Sequence, residues 1–302
     1  MTDDVGRAVE NGGPETAEDA AEEPPEFDEG RYVYCVVRAE ADDADAFEGV
    51  TGLEDEPVSL VAVDGVGAVV HACEGLYDSA DLGEIRRWLV RHQSVVDAAA
   101  ERFGTPLPFQ FDTIVRGDDG TVREWLREER ETLADVLGSL AGHWEYRIEV
   151  VRTDPVDAAA LEADDERLAG LRERIDDAAE GTAFLLEKRY DRRAAELRRD
   201  RREALAADLR ERLAGPAREV HELDRSPAAT LDEADGSDEA GETVCRLTVL
   251  AREDREDAVG SVLDDVAAEP GIEVRFTGPW PPYTFVPDLG DETDAGSAGG
   301  RG

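Results

Sequence analysis

Lysine is nearly missing from this 302-residue chain: Lys188 is the only one, so the positive charge rests almost wholly on arginine. Cysteine is scarce too. Cys35, Cys73 and Cys245 stand far apart in apolar runs, without a CxxC pair or zinc-type spacing. That pattern argues against a disulfide scaffold or a thiolate metal centre and fits buried thiols in a reducing compartment. No apolar run approaches the roughly 20 residues a membrane-spanning helix needs. The opening MTDDVGRAVENGG has neither the basic region nor the apolar stretch of a secretory signal. A soluble, cytoplasmic protein is expected.

What the chain has in excess is carboxylate. The formal net charge is -41, with Asp and Glu spread along the whole length. Such a charge repels phosphate backbones and anionic lipid, so neither nucleic acid nor a membrane is an expected partner. An acidic, lysine-poor surface suits concentrated salt, where screening relieves self-repulsion and carboxylates hold water. A halophilic host accounts for most of this charge.

The chain divides by composition. Residues 1–29 are rich in Asp, Glu, Ala, Gly and Pro and read as a disordered acidic tail. RYVYCVVRA at 31–39 reads as a buried strand, followed by an acidic loop with a short helix near Asp42–Phe47. In VSLVAVDGVGAVVHAC (58–73), Asp64-Gly65 between apolar runs signals a hairpin. Asp81 is placed to cap a helix running to Phe103, with Ile85, Trp88, Leu89, His92, Val95, Val96 and Ala99 on one stripe. An edge strand is expected over Phe109–Val115 and a single amphipathic helix over Asp119–Leu140.

A second region, 143–287, opens with HWEYRIEVVR, whose alternation predicts a half-buried strand. A helical excursion over about 154–214, broken near Gly181-Thr182, carries two apolar stripes at three- and four-residue spacing and reads as an antiparallel hairpin. A short strand at 218–223, a polar loop at 224–242, strands at 243–251 and 272–278 and a helix at 257–268 complete it, and residues 288–302 read as a disordered tail. The expected fold is α+β: two ferredoxin-like domains of β-α-β-β-α-β type, 30–142 and 143–287, the second with a long helical hairpin insertion.

Motifs of chemistry are few. None of the four histidines has metal-ligand spacing, and Gly65-Val66-Gly67 lacks the rest of a dinucleotide fingerprint. Cys35 and Cys73 could face each other on neighbouring strands, with His71 sharing a face with Cys73, but no third group orients a nucleophile. No catalytic residue, cofactor, metal or small-molecule substrate is expected. Asp112 interrupts PFQF and TIV, where a turn role is favoured over acid–base chemistry. FTGPWPPYTFVP at 276–287 is the most unusual segment: prolines interleave with Trp280, Tyr283 and Phe285 in a stiff apolar strap. It either closes the core or meets a partner, and the two are compatible.

Taken in order, RYVYCVV (31–37), RHQSVVDAAAERFGTPLPFQFDTIV (91–115), HWEYRIEV (143–150), GTAFLLEKR (181–189) and FTGPWPPYTFV (276–286) resemble the F/L family of gas vesicle accessory proteins, and most nearly its longer haloarchaeal L form. Two departures stand out: LPFQFDT carries Asp112 where that family usually has glycine, and CRLTVLA at 245–251 replaces an NAAFLV-like strand. The resemblance implies an assembly or nucleation factor located at the gas vesicle, with no cofactor or reaction, that binds the small hydrophobic shell protein and other accessory proteins. A stably incorporated minor structural component is the alternative, and an uncharacterised enzyme a remote one. The candidate partner-binding residues are Trp280, Pro281, Pro282, Tyr283 and Phe285 in the strap, with Phe109, Phe111 and Asp112.

Overall fold

Strand β1 (Gly30–Val37) is buried on both faces, as its run of tyrosine, valine and cysteine requires, and a sheet forms around it. The structure is a computed structural model that describes residues 27–154, 156–223 and 241–287. Most of the sequence-predicted tails, 1–26 and 288–302, and residues 224–240 of the polar loop lie outside the described residues. Phe27 already packs against the first core, just ahead of β1.

The first sheet has β2 (Ser59–Val63), β3 (Val66–Cys73) and β1 side by side, with β4 (Leu107–Pro108) and β5 (Ile114–Arg116) both along the far side of β1, all antiparallel. Asp64 and Gly65 close the β2–β3 hairpin with φ of 47° and 92°, the two left-handed positions of a type I′ turn. A bulge between Val33 and Cys35 puts Tyr32, Tyr34, Cys35 and Val37 into one cluster and Val33 and Val36 into the other. Helix α1 (Leu82–Phe103), capped by Asp81 accepting from the Gly83 N–H at 2.8 Å, covers the first cluster with His92, Val95, Val96 and Ala99. Helices α2 (Asp119–Glu128) and α3 (Arg130–Leu140) cover the other.

The short helix expected near Asp42–Phe47 forms as a 3-10 helix, Ala41–Phe47, with a second 3-10 turn at Leu53–Asp55 in the same connection. Two expectations for this half need correction. The single helix over 119–140 is two, because Glu129 leaves helical geometry with ψ near 4°. The edge strand over 109–115 is interrupted, because Asp112 adopts φ 66° and throws the chain out of extended geometry between β4 and β5.

The second sheet, in the order β7 (Glu219–Glu222), β8 (Glu242–Arg252), β6 (His143–Arg152), β9 (Ile272–Trp280), is also antiparallel. Between β6 and β7 lie α4 (Ala158–Asp164), α5 (Glu166–Asp176) and the 34-residue α6 (Glu180–Leu213), which at 1.5 Å per residue is about 51 Å long. The break expected at Gly181-Thr182 falls at 177–179, and another occurs at Asp165, whose carboxylate caps α5 through the Leu168 N–H at 2.7 Å. The early part of α6 packs on α4 and α5 around Leu161, Leu168 and Ala194. Its far end delivers Ala206, Leu209 and Leu213 to one face of the sheet, beside Val259, Leu263 and Val266 of α7 (Glu256–Ala267). Leu250, on β8, belongs instead to the cluster under α2 and α3, so the two halves share core.

Candidate partner-binding site

The strap begins where β9 ends. Gly278 lies at φ 136° against β6, where an added Cβ would stand 2.8 Å from the Tyr146 ring and 2.9 Å from the Glu145 carbonyl oxygen; only glycine fits. Pro281 and Pro282 are buried, and Tyr283–Phe285 form a 3-10 turn. This turn is anchored by Glu145, whose side chain is wholly buried. A buried carboxylate is costly unless its lone pairs are met. Glu145 accepts from the Thr284 N–H at 2.7 Å, the Thr284 hydroxyl at 3.0 Å and the Arg147 Nε–H at 3.2 Å.

The strap also reaches the first half. The Tyr283 hydroxyl donates to Gln93 Oε1 on α1 at 3.1 Å, and burial pushes that phenol well above its usual range. The Phe285 ring lies 4.8 Å from the His221 ring and joins the cluster under α2 and α3. Trp280 alone of these aromatics is turned outward, 37% exposed. The strap therefore closes the molecule with most of its side chains and presents one.

Phe111 and Asp112 lie at the edge of a second cluster, under α1. The Tyr32 hydroxyl takes the Asp112 N–H at 3.2 Å and stands 2.8 Å from His92 Nδ1. The Tyr34 hydroxyl takes the Leu53 N–H at 3.0 Å and stands 2.7 Å from His71 Nδ1, while His71 Nε2 is 2.8 Å from the Tyr77 hydroxyl. With Tyr32 and Tyr34 each accepting a backbone N–H, their protons are free for Nδ1; His71 Nε2 then meets the Tyr77 hydroxyl, while His92 Nε2 is buried without a hydrogen-bond partner among the described residues. Burial lowers both histidines to about 4, His71 also through the nearby His92, so the pair is neutral at neutral pH. The Asp112 carboxylate accepts the Tyr77 N–H at 3.0 Å. A short acid that tolerates left-handed φ and fixes a neighbouring backbone group is what this turn requires. Phe111 is half-buried among these rings, and Phe109 sits apart on the opposite face, 5.9 Å from Trp125.

The sequence-suggested Cys35–Cys73 pairing does not form: across β1 and β3, Cys35 faces Val69 and Cys73 faces Gly30. Both ring nitrogens of His71 meet tyrosines. His92 approaches Asp112 only through the Tyr32 hydroxyl and the Asp112 backbone. Complete burial raises the Cys35 thiol far above the range in which it ionises. Among the described residues, no group of three His, Cys, Asp or Glu could hold a metal ion. Sequence reasoning missed Glu145, Arg147, Gln93 and His221, the seats of the strap. Nothing local marks Glu145, which falls on the polar register of its strand.

Fold and site together define an α+β scaffold with two sheet-containing halves, a proline-stiffened strap across their junction and a neutral, hydrogen-bonded aromatic core. Residues 30–287 match the family described as "Gas vesicle synthesis protein GvpL/GvpF", and the chain belongs to that family. It is 44% identical to gas vesicle protein L1 of Halobacterium salinarum over 277 residues, 92% of this chain and 97% of that protein. To gas vesicle protein L2 of the same organism it is 46% identical, over 87% of this chain and 94% of that one. The crystal structure of the gas vesicle protein GvpF from Anabaena shares the fold, with a TM-score of 0.66 at 19% identity over 85% of this chain and 98% of that chain. The chain is thus a halophilic accessory protein of gas vesicle assembly, of the haloarchaeal L kind, and its place is the gas vesicle in the cytoplasm.

Proposed function

We propose that the chain is an assembly or nucleation factor that binds the small hydrophobic shell protein together with other accessory proteins, and that Trp280 is the side chain the strap offers them. The observation that carries this reading is the division within the strap. Pro281 and Pro282 are buried, and Tyr283 and Phe285 are tied down by Gln93 and His221, while Trp280 stays exposed on the outer strand β9. Tryptophan is among the residues in which binding hot spots are enriched. The same edge carries Glu273, Arg275 and Pro279, which discourage strand addition, so side-chain docking is favoured over β-augmentation.

In this reading the strand orders 2-3-1-4 of both sheets are two ferredoxin-like units, 30–142 and 143–287, with the helical excursion at about 154–214 inserted in the second and acidic tails outside them, the first ending short of the expected 1–29 because Phe27 and Glu29 already join the first unit. The neutral histidines and bonded tyrosines serve packing, and the protein needs no catalytic residue, cofactor, small-molecule substrate, nucleic acid or membrane. Phe109, Phe111 and Asp112 shape the surface beside the strap.

Because Leu250, Phe285 and Val286 complete the core under α2 and α3, the test uses the whole chain, not its halves. Purified protein in concentrated salt is expected to retain the shell protein, and Trp280→Ala to weaken that retention by about thirtyfold, the effect of losing a central anchor of about 2 kcal/mol. Failure of the folded wild type to retain the shell protein or any other vesicle protein would sink the function. Retention unchanged by Trp280→Ala would move the contact off the strap.

A further inference from the structure

Helix α6 runs against the charge of the molecule. Its 34 residues hold ten of the 33 basic side chains against eight acidic ones, in a chain of net charge -41. Where α6 lies beside α5, an open groove of about 490 Å³ is lined by Arg167, Arg174, Arg189, Arg192 and Arg193 against the single carboxylate of Glu196. Arg193 is committed, donating to Asp165 at 2.6 Å and to Glu196 at 3.2 Å. Arg167, Arg174, Arg189 and Arg192 are exposed and form no ion pair among the described residues.

The other basic grooves are built differently. Beside α1, Arg91 faces Asp55 and Arg87 faces Glu84. Farther along α6, Arg199 faces Glu203 and Arg210 faces Glu222. Carboxylates are abundant enough to match any arginine here, yet Arg167, Arg174, Arg189 and Arg192 stand in one groove without an ion pair among the described residues.

Apolar exposure coincides with this charge. Leu185, 63% exposed, lies on the same helical row as Arg189, Arg192 and Glu196, four, seven and eleven residues along. Phe184 beside it is 57% exposed, with the ammonium of Lys188 5.7 Å from its ring centre. A groove between two antiparallel helices, basic along its length and continued by the exposed Leu185 on the same helical row, has the shape and chemistry to take a third helix.

We propose that this groove docks a carboxylate-rich amphipathic helix of a partner protein. Its acidic side chains are gripped by Arg167, Arg174, Arg189 and Arg192, and its apolar stripe rests on Leu185. The proposal rests on the reading that the chain acts through protein contacts, but it uses a different element from Trp280. Concentrated salt sharpens the requirement: at 1 M the screening length is about 3 Å, so long-range attraction is lost and only direct, forked arginine–carboxylate contacts and apolar burial remain.

The test is fluorescence anisotropy with the whole chain and a labelled synthetic amphipathic peptide of about three heptads, leucine on one stripe and glutamate on the flanks, compared with a twin bearing glutamine for glutamate. In concentrated potassium chloride the glutamate peptide is expected to bind at least about tenfold more tightly than its twin, with the preference lost in the Arg189→Gln/Arg192→Gln double variant. Leu185→Ser weakens both peptides, and Trp280→Ala leaves both unchanged, which separates failure here from failure at the strap. These side chains are exposed, so melting temperatures stay at the wild-type value. Equal binding of the two peptides, or a preference that survives loss of both arginines, overturns the proposal. So does an oligonucleotide that displaces the glutamate peptide, or self-association that the arginine variant abolishes, since each names a different occupant.

Discussion

The two sheets share a strand order and fill their cores with different chemistry. Under α1 the first sheet packs Tyr32, Tyr34, His71 and His92, with Tyr77, Trp88 and Phe111 around them, and fixes the rings through hydroxyl–imidazole and hydroxyl–backbone bonds. Under α6 and α7 the second sheet packs mainly aliphatic side chains, Ile148, Val150, Leu209, Leu213, Leu247, Val259 and Leu263, with one buried ring, Tyr146, stacked on Phe276 and donating to Glu256 at 3.1 Å. A hydrogen-bonded core holds one arrangement of its rings and depends on their protonation; an aliphatic core depends on being full. The same architecture therefore has two distinct ways to fail.

The largest difference should appear on acidification. Both buried histidines have folded-state values lowered to about 4, so between that pH and the ordinary value near 6.5 the unfolded chain binds more protons than the folded one. Their stabilising contribution is complete above about pH 6.5, declines as the pH falls, and is gone near pH 4, at about 3 kcal/mol per histidine. Denaturation curves at fixed high salt across this window should steepen for the wild type and flatten in a His71→Gln/His92→Gln variant. Identical pH slopes for the two would remove the histidines from the account.

In the aliphatic half, Leu209→Ala empties a wholly buried site and should cost about 3 kcal/mol by chemical denaturation. Here the discriminating result is the pH profile: the loss should be the same at pH 7 and pH 5, and a loss that grew on acidification would couple the two cores. The smallest effect belongs to the turn at the border of the first core. Asp112→Ala forfeits the Tyr77 N–H acceptor and places an ordinary side chain at φ 66°, for about 1–2 kcal/mol. Asp112→Gly should recover the backbone part, and if it proves no more stable than alanine, left-handed geometry is not what the position demands.

Features set by nearby residues were legible in the sequence. The strand of β6 follows from alternation, the hairpin from Asp64-Gly65, and the start of α1 from Asp81. The strap's composition marked it as special, and the turn role of Asp112 was foreseen. What stayed hidden depends on distant partners. Tyr32 and His92 are 60 positions apart, Tyr34 and His71 are 37, and neither histidine carries a local sign of its tyrosine. Glu145 reads as a solvent-facing strand residue until the strap, 139 positions later, covers it. The break at Asp165 stayed hidden because that residue serves as a cap inside a continuous run of helix-favouring residues.

The strap has a consequence for how the molecule is made. Its turn bonds to Glu145 and to Gln93, and the latter contact spans 190 positions. A growing polypeptide therefore holds an unprotected carboxylate on β6 and an uncovered seam beneath α2 and α3 until residues 283–286 leave the ribosome. Closure waits for the strap, so a product cut short before residue 283 is distinguishable from one that carries it by the surface it leaves open.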